Sequence, residues 1–319
     1  MLNRFESVTN PAFGFNPVER PINEYLKYGF IVLDKPSGPT SHQVTHDVRK
    51  LLGSTKTGHS GTLDPKVTGV LPIALSKSTK VIEFLLTAGK EYICLAYIHK
   101  DVSEEKIRSV LNNFKGDINQ LVPKRSSVKR QVRKRTVYDL EILDVVGRNV
   151  LFRVSTQAGT YIRKLVHDFG EALETGAHMK ELRRTRAGLF TESKSFRYDE
   201  LLFAKKKLDA GDESFIRQVV VPVELTLPHL KRVYISDGAV SNVCNGSPVY
   251  TAGVVKLDEG IERDNVIRIL TLKEELVGVG KASMSSEDMV NSAKGVAVRT
   301  QKVVMEFGLY PPRSEVVKP

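Results

Sequence analysis

The sequence predicts an α+β protein in two parts, a larger region of mixed strands and helices followed by a small, mostly β, barrel-like domain. Three observations carry this reading. Up to about residue 228, apolar alternation of period two is interleaved with stretches of helical periodicity. Beyond Pro222 and Pro228, short β-rich segments succeed one another between turn signals. The charge divides at the same place: the 319-residue chain carries a formal net charge of +11, yet residues 230–310 hold ten Lys/Arg and ten Asp/Glu, so nearly all of the excess lies upstream.

Residues 1–25 are rich in Asn, Pro and Phe without periodicity and read as an extended arm; the domains then occupy 26–228 and 229–312, with a short tail at 313–319. GFIVLDK (29–35) is a short apolar strand. In SHQVTHDVRKLLG the spacing of Val44, Val48, Leu51 and Leu52 predicts a helix, started by Thr40 or Ser41 and ended by Gly53. GHSGTLDPKVTGVLPIAL (58–75) passes from a glycine-rich turn into an apolar run. KEYICLAYIHK (90–100) alternates as a strand, and a helix follows over about 103–114. The basic run PKRSSVKRQVRKR (123–135) leads into the strands TVYDLEILDVV and NVLFRVSTQ. A helix then begins near Thr160, with Ile162, Leu165, Val166, Phe169 and Leu173 on one face. In the second domain only residues 238–245 look helical.

Several function classes fall away. Cys94 and Cys244 are too few and too far apart for a disulfide framework and read as reduced and buried. The N-terminus has neither the apolar core of a signal peptide nor a transit pattern, and no apolar run approaches the ~18 residues of a membrane span. A cytoplasmic protein without a membrane partner is expected. GSTKTGHS (53–60) has the glycine spacing of a phosphate loop, but His59 stands where that loop needs a lysine, so a glycine-rich connection is the better reading. His42 and His46 lie one helical turn apart on the side opposite the core and lack the glutamate of a zinc-protease motif, so no metal is expected.

The basic run is different. Lys124, Arg125, Lys129, Arg130, Arg133, Lys134 and Arg135 come without one acid and would repel one another on a solvated face, which points to a phosphate-lined partner. Asp64, between Leu63 and Pro65, is by position a turn residue. Two other places change that weighting: Tyr92 at the start of a strand, and Arg163 at the edge of a helix's apolar face. Carboxylate, guanidinium and phenol together suit an operation on a nucleobase, with the acid kept ionised and a ring to support a base lifted from its stack.

The segments LDKPSGPTSH, GHSGTLDPKVTGVLPIAL, KEYICL, SSVKRQVRKRTVYDLEIL, AGTYIRKLVHD and GAHMKELRRTRAG, which span most of residues 29–190 in order, resemble the pseudouridine synthases of the TruB class. Within that class the chain is similar to the dyskerin-like catalytic subunits of H/ACA guide ribonucleoproteins, and CNGSPVYTAGV (244–254) resembles a PUA domain. The resemblance implies a mixed, mainly antiparallel sheet flanked by helices, followed by a PUA barrel on which the N-terminal arm packs. It implies Asp64 as the catalytic aspartate, Tyr92 as the tyrosine that stacks on the flipped uracil and helps with its C5 proton, and Arg163 as the ion-pair partner of Asp64. Tyr161 and Leu182 match pocket residues, Lys35 and Pro36 a pair that supports the catalytic loop, and His59 a histidine beside the flipped nucleotide. Gly246, Pro248 and Gly253 fall in the RNA-binding stretch of the PUA-like segment.

The same resemblance makes a lone acid intelligible. Hydrolysing a glycosidic bond needs two carboxylates, whereas uracil that is detached, turned and rejoined through C5 consumes no water and needs one nucleophile. Neither a metal nor an organic cofactor is implied. The apolar run 70–75 is expected to wall a dry pocket that buries the Asp64–Arg163 pair. Two departures stand out: Lys164 replaces a threonine and PKRSS a proline-leucine run. Three functions are compatible with these residues: an enzyme directed to ribosomal RNA by an H/ACA guide RNA and small accessory proteins, a stand-alone enzyme on the T-loop of transfer RNA, and a non-catalytic RNA scaffold.

Overall fold

The computed structural model describes residues 1–122 and 129–312. Lys124, Arg125, the PKRSS segment and the tail lie outside the described residues. The chain opens with β1 (Leu2–Asn3), α1 (Ile22–Lys27), β2 (Gly29–Lys35), α2 (Ser41–Leu52), β3 (Thr57–His59) and β4 (Thr68–Leu75). Next come α3 (Ile82–Leu86), β5 (Lys90–Ile98), α4 (Glu104–Asn112), β6 (Gly116–Leu121), β7 (Val132–Val146) and β8 (Asn149–Thr156). The larger region ends with α5 (Ile162–Ala172), β9 (Ala177–Ala187), β10 (Phe190–Thr191), α6 (Tyr198–Asp209), α7 (Ile216–Val219) and β11 (Val220–Pro222). The second region contains β12 (Lys231–Ile235), α8 (Asp237–Cys244), β13 (Val249–Tyr250), β14 (Val254–Leu257), β15 (Val266–Thr271), β16 (Leu276–Ala282), α9 (Ser286–Asn291) and β17 (Val296–Val303).

The first sheet runs β11-β2-β4-β9-β5-β8-β7-β6, with β3 on β4 and β10 on β9. Its named pairs are antiparallel except β4 with β9, where Thr68 faces Arg183 and Gly69 faces Arg184. That crossing needs a glycine: Gly69 has φ +102°, and a Cβ there would stand 2.2 Å from the Arg184 carbonyl oxygen. β4 is an interior strand, flanked by β2 and β9, so its residues are apolar on both faces. Val70 joins one core with Phe30, Val32 and Ala74, while Leu71, Ile73 and Leu75 join the other with Val44 and Val48 of α2. The run 70–75 is therefore the spine of the sheet and does not wall a pocket, which corrects the expectation above.

The predicted helices form for the predicted reasons. At α2, Thr40 and Gln43 make a reciprocal capping box and Gly53 ends the helix at φ +61°. α5 starts at Ile162, and its five apolar positions are buried against the sheet. Gly170 lets α5 approach the start of β9, since a Cβ there would lie 2.1 Å from the Ala177 amide nitrogen. Several elements were not expected: β1, α1, β3, α3, β6, β9, β10, α6, α7 and β11 in the first part of the chain, and α9 in the second. GDINQL in β6 is largely polar because it edges the sheet, and α9 is only six residues long. β7 also begins earlier than predicted, so the end of the basic run is strand.

The second sheet runs β1-β14-β12-β15-β16-β17-β13 and is bent by bulges, as at Ile269/Leu270 and Val279/Gly280. β1 pairs with β14, Leu2 opposite Leu257, so the arm contributes a strand to this sheet. Thr9 and Asn10 then bond to Asp237, and the Phe15 amide donates to Glu275. The two regions share an apolar seam in which Tyr28, Phe30 and Val81 meet Tyr234, Leu276 and Val304. Beside it Arg20 donates two hydrogen bonds to Glu224, at 3.1 and 2.7 Å, and lies 4.0 Å from Glu275, with all three side chains at most 6 % exposed.

Removing that cation would leave two buried carboxylates facing each other. Arg20→Met is expected to lower the unfolding free energy by about 3–5 kcal/mol, measured by urea denaturation; an unchanged midpoint would show that the network carries no stability.

Candidate active site

Asp64 sits in the loop between β3 and β4, and three groups hold that loop. Lys35, wholly buried at the end of β2, donates from Nζ to the carbonyls of Pro36 (2.8 Å), Pro65 (3.0 Å) and Val67 (2.9 Å). Burial lowers the pKa of Lys35, opposed by the charge of Asp64. The Ser41 hydroxyl, at the start of α2, accepts from the Leu63 amide (2.8 Å) and donates to its carbonyl (2.9 Å). Leu63 and Val67, each 3 % exposed, anchor the loop in the core. The residues between them are thereby presented on a fixed rim. Pro36 is exposed and takes part through its carbonyl.

Arg163, the second residue of α5, donates from Nη2 to Asp64 Oδ2 at 2.7 Å. The predicted pairing exists, but not its burial: the side chains are 67 % and 54 % exposed. The acid is on a rim turn and the arginine on the open side of the helix's first turn, so both stay hydrated and the pair adds roughly 0–1 kcal/mol to stability. Tyr161 precedes the helix, and its backbone N–H and C=O are both bonded by the Gln120 side chain of β6 (2.9 and 3.1 Å). Tyr92 of β5 stands opposite Arg184 of β9 and packs, half-buried, with Leu182 against the cores on either side.

His59, on β3, has both ring nitrogens buried without a hydrogen-bond partner among the described residues, and its ring meets His42 edge-on at 5.0 Å between centroids. Burial, then His42, then Arg184 draw its pKa down to about 4. A groove of about 420 Å³ between α2 and β3 is lined by His42, His46, Arg49, Lys56 and His59; it borders the site without containing Asp64, Tyr92 or Arg163. His42 and His46 are exposed, as predicted. Among the described residues no group of three or more His, Cys, Asp or Glu is placed to hold a metal ion, and no helix is long and apolar enough to cross a membrane.

Two buried cations near Tyr92 escaped sequence reasoning. Arg184, 1 % exposed, donates from Nε to the Val70 carbonyl (2.8 Å) and from Nη2 to that of Gly61 (3.0 Å). Lys90 donates to the carbonyls of Leu86 and Ala88, and burial followed by the charge of Arg184 lowers its pKa to about 8. Only the register of β5 on β9 makes their proximity visible.

The basic run is less uniform than expected. Lys129 and Arg130 are exposed, and alternation along β7 sends Arg133 and Arg135 to one side and Lys134 to the other. Lys134 meets Asp117 of β6 at 2.8 Å, so the run is not without acids in space. Arg135 packs over Gly159, near the start of α5. In the second region Gly246 turns at φ +88° just after α8, Pro248 precedes β13, and Gly253 packs on Ala239. Both cysteines are free; Cys94 is buried as expected, whereas Cys244, the last residue of α8, is only half-buried, which corrects the expectation for it.

The fold favours neutral His59, while the unfolded chain takes up a proton at its ordinary value of roughly 6.5. The stability this contributes is full above that value and is lost as pH falls toward 4. His59→Phe is therefore expected to flatten the stability profile between pH 6.5 and 4, followed by denaturant midpoint against pH; a slope equal to that of the parent chain would contradict the assignment.

The matches to known proteins follow the same layout. The chain matches the family described as TruB family pseudouridylate synthase (N terminal domain) over residues 49–104 and 95–162. It also matches the tRNA pseudouridylate synthase B C-terminal domain over 163–228, the PUA domain over 231–304 and the DKCLD (NUC011) domain over 1–45. A relative from Methanothermobacter thermautotrophicus, named probable tRNA pseudouridine synthase B, is 49 % identical over 307 residues, covering 96 % of this chain and 95 % of its own. A relative of the same name from Methanocaldococcus jannaschii is 49 % identical, with 96 % and 91 % covered. A chain in the structure of an H/ACA RNP bound to a substrate RNA containing 2′-deoxyuridine superposes with a TM-score of 0.89 at 45 % identity, covering 98 % of this chain and 96 % of that one. A Cbf5-Nop10-Gar1 complex gives 0.87 at 47 % identity, with 100 % and 96 % covered. A mainly antiparallel catalytic sheet, a curled second sheet in the PUA region and near-full-length relatives at almost half identity lead to one assignment: the chain belongs to the TruB family of RNA pseudouridine synthases.

Proposed function

We propose that this chain is the catalytic subunit of an RNA-guided pseudouridine synthase, converting uridine to pseudouridine in ribosomal RNA. The observation that carries the proposal is the Asp64–Arg163 pair, 2.7 Å apart, on a loop pinned by Lys35. Asp64 acts as the nucleophile that lets uracil leave C1′, and Arg163 keeps it ionised. Tyr92 supports the turned base and handles its C5 proton. Tyr161, Leu182 and neutral His59 line the space around the base, and Lys35 with Pro36 holds the loop. An RNA laid across this rim would exclude water from the pair and strengthen each charge interaction there.

The RNA path follows the surface charge. Lys129, Arg130, Arg133 and Arg135 lie beyond Gly159 and the start of α5 and receive backbone phosphates; Lys124 and Arg125 continue the same run in sequence. Gly246, Pro248 and Gly253 belong to the surface that takes the guide's ACA end. The guided reading draws on the solved relatives, whose titles name H/ACA RNPs and complexes with Nop10 and Gar1. A compact link between β5 and β6, holding only α4, also favours it, since it leaves no room for an added RNA-gripping insertion. The second reading, a stand-alone enzyme on the transfer-RNA T-loop, is favoured by the sequence relatives, which are named as probable tRNA pseudouridine synthases B.

Purified protein with labelled ribosomal or transfer RNA, with and without guide RNA and accessory proteins, separates these readings: conversion only in the full mixture supports the guided enzyme, and conversion by the protein alone supports the second. Binding without conversion in every mixture would leave only a scaffold. Asp64→Asn is expected to abolish conversion while RNA affinity stays within about threefold; full activity in that variant would overturn the assignment. Arg133→Ala should weaken binding and lower the log–log salt slope by about 0.7–0.9, read by titration at several salt concentrations.

A further inference from the structure

Among the described residues, Arg184 is a buried cation with no acid paired to it. Its guanidinium spans from β4 to the loop after β3 through the carbonyls of Val70 and Gly61, and no acidic residue is among the groups acting on it. The group that does act on it is Tyr92, directly opposite in the β5–β9 register. Lys90 and His59 lie close enough for the charge of Arg184 to discourage their protonation. Burying a full charge that only neutral carbonyl dipoles offset is expensive. Such a cation is a standing stabiliser for an anion that forms only during reaction.

The isomerisation supplies one. When the N1–C1′ bond breaks, its electron pair stays on N1, which must finish protonated. When C5 joins C1′, the C5–H bond breaks, its electrons restore the C5=C6 double bond, and a proton must be removed. A phenol that gives its proton to N1 and then takes the one from C5 balances both steps and is a phenolate in between. Arginine has donors only, so in any contact between the two the Tyr92 oxygen must accept, which leaves the hydroxyl proton to point toward the base.

We propose that Arg184 is a positioning residue for this reaction: strung between Val70, Gly61 and Tyr92, it aims the tyrosine hydroxyl at the uracil and stabilises the phenolate formed while the proton is in transit. This rests on the synthase reading of Tyr92 given above.

The test is single-turnover conversion of a target uridine or its 5-deuterio analogue by the full complex, with the parent chain, Arg184→Met and Arg184→Lys, alongside RNA affinity and thermal melting. Arg184→Met is expected to slow conversion roughly 10²–10³-fold with RNA affinity within about threefold, and to show a larger deuterium isotope effect than the parent chain because C5 deprotonation becomes limiting. Arg184→Lys keeps the charge and recovers part of the rate. A Met variant as fast as the parent, or one slowed with an unchanged isotope effect, overturns the proposal. Should the Met variant fail to fold, Arg184→Lys decides: slowed with a raised isotope effect supports the proposal, and an unchanged isotope effect overturns it. A parent chain inactive in every mixture would instead count against the synthase reading itself.

Discussion

The site depends on one buried ammonium group. Lys35 has no ion-pair partner among the described residues and spends its three donors on backbone carbonyls, two of them in the Asp64 loop. A flexible aliphatic stem inside a core, ending in three fixed bonds, converts a surface turn into a rigid shelf. Ser41 repeats the device from the helix side, so the loop is tied to both β2 and α2. Asp64 can then be exposed and still hold its place. The precision comes from beneath the acid and not from a pocket around it.

That arrangement separates two kinds of charge. Asp64 and Arg163 are hydrated and balance each other, whereas Arg184 and Lys90 are buried and balanced by carbonyl dipoles. The outer pair lies open at the rim, and the charge of Arg184 is among those that bear on His59. A reaction that breaks one C–N bond, makes one C–C bond and moves one proton fits such a layout. In the proposed reading, one exposed nucleophile handles carbon and one supported phenol handles the proton.

Much of this was legible in the sequence. The apolar spacing of α2 and α5, the caps at Thr40 and Gly53 and the alternation of β5 all express local periodicity, which survives folding. Asp64, Tyr92 and Arg163 could be named because their residue types and surroundings are distinctive, but Asp64 and Arg163 lie 99 positions apart, and no periodicity measures their 2.7 Å contact. Burial was misjudged because an apolar run does not say which elements flank it: residues 70–75 belong to an interior strand covered on both faces. Arg184 was missed because its meaning lies in cross-strand register, and RRTR alone looks like another basic patch. β6 and α9 were missed because one is a polar edge and the other is two turns long at most.

The arm has a consequence for how the chain is made. Leu2 completes its sheet only by pairing with Leu257, and the arm's later anchors, Asp237 and Glu275, are also distant in sequence. At ribosomal speeds of roughly 5–20 residues per second, those partners emerge tens of seconds after the first residues. The opening segment must therefore wait, unpaired, while the domain behind it folds. Its docking closes synthesis rather than beginning it, so a nascent chain stalled before residue 257 would hold a nearly complete catalytic sheet and a dangling N-terminus.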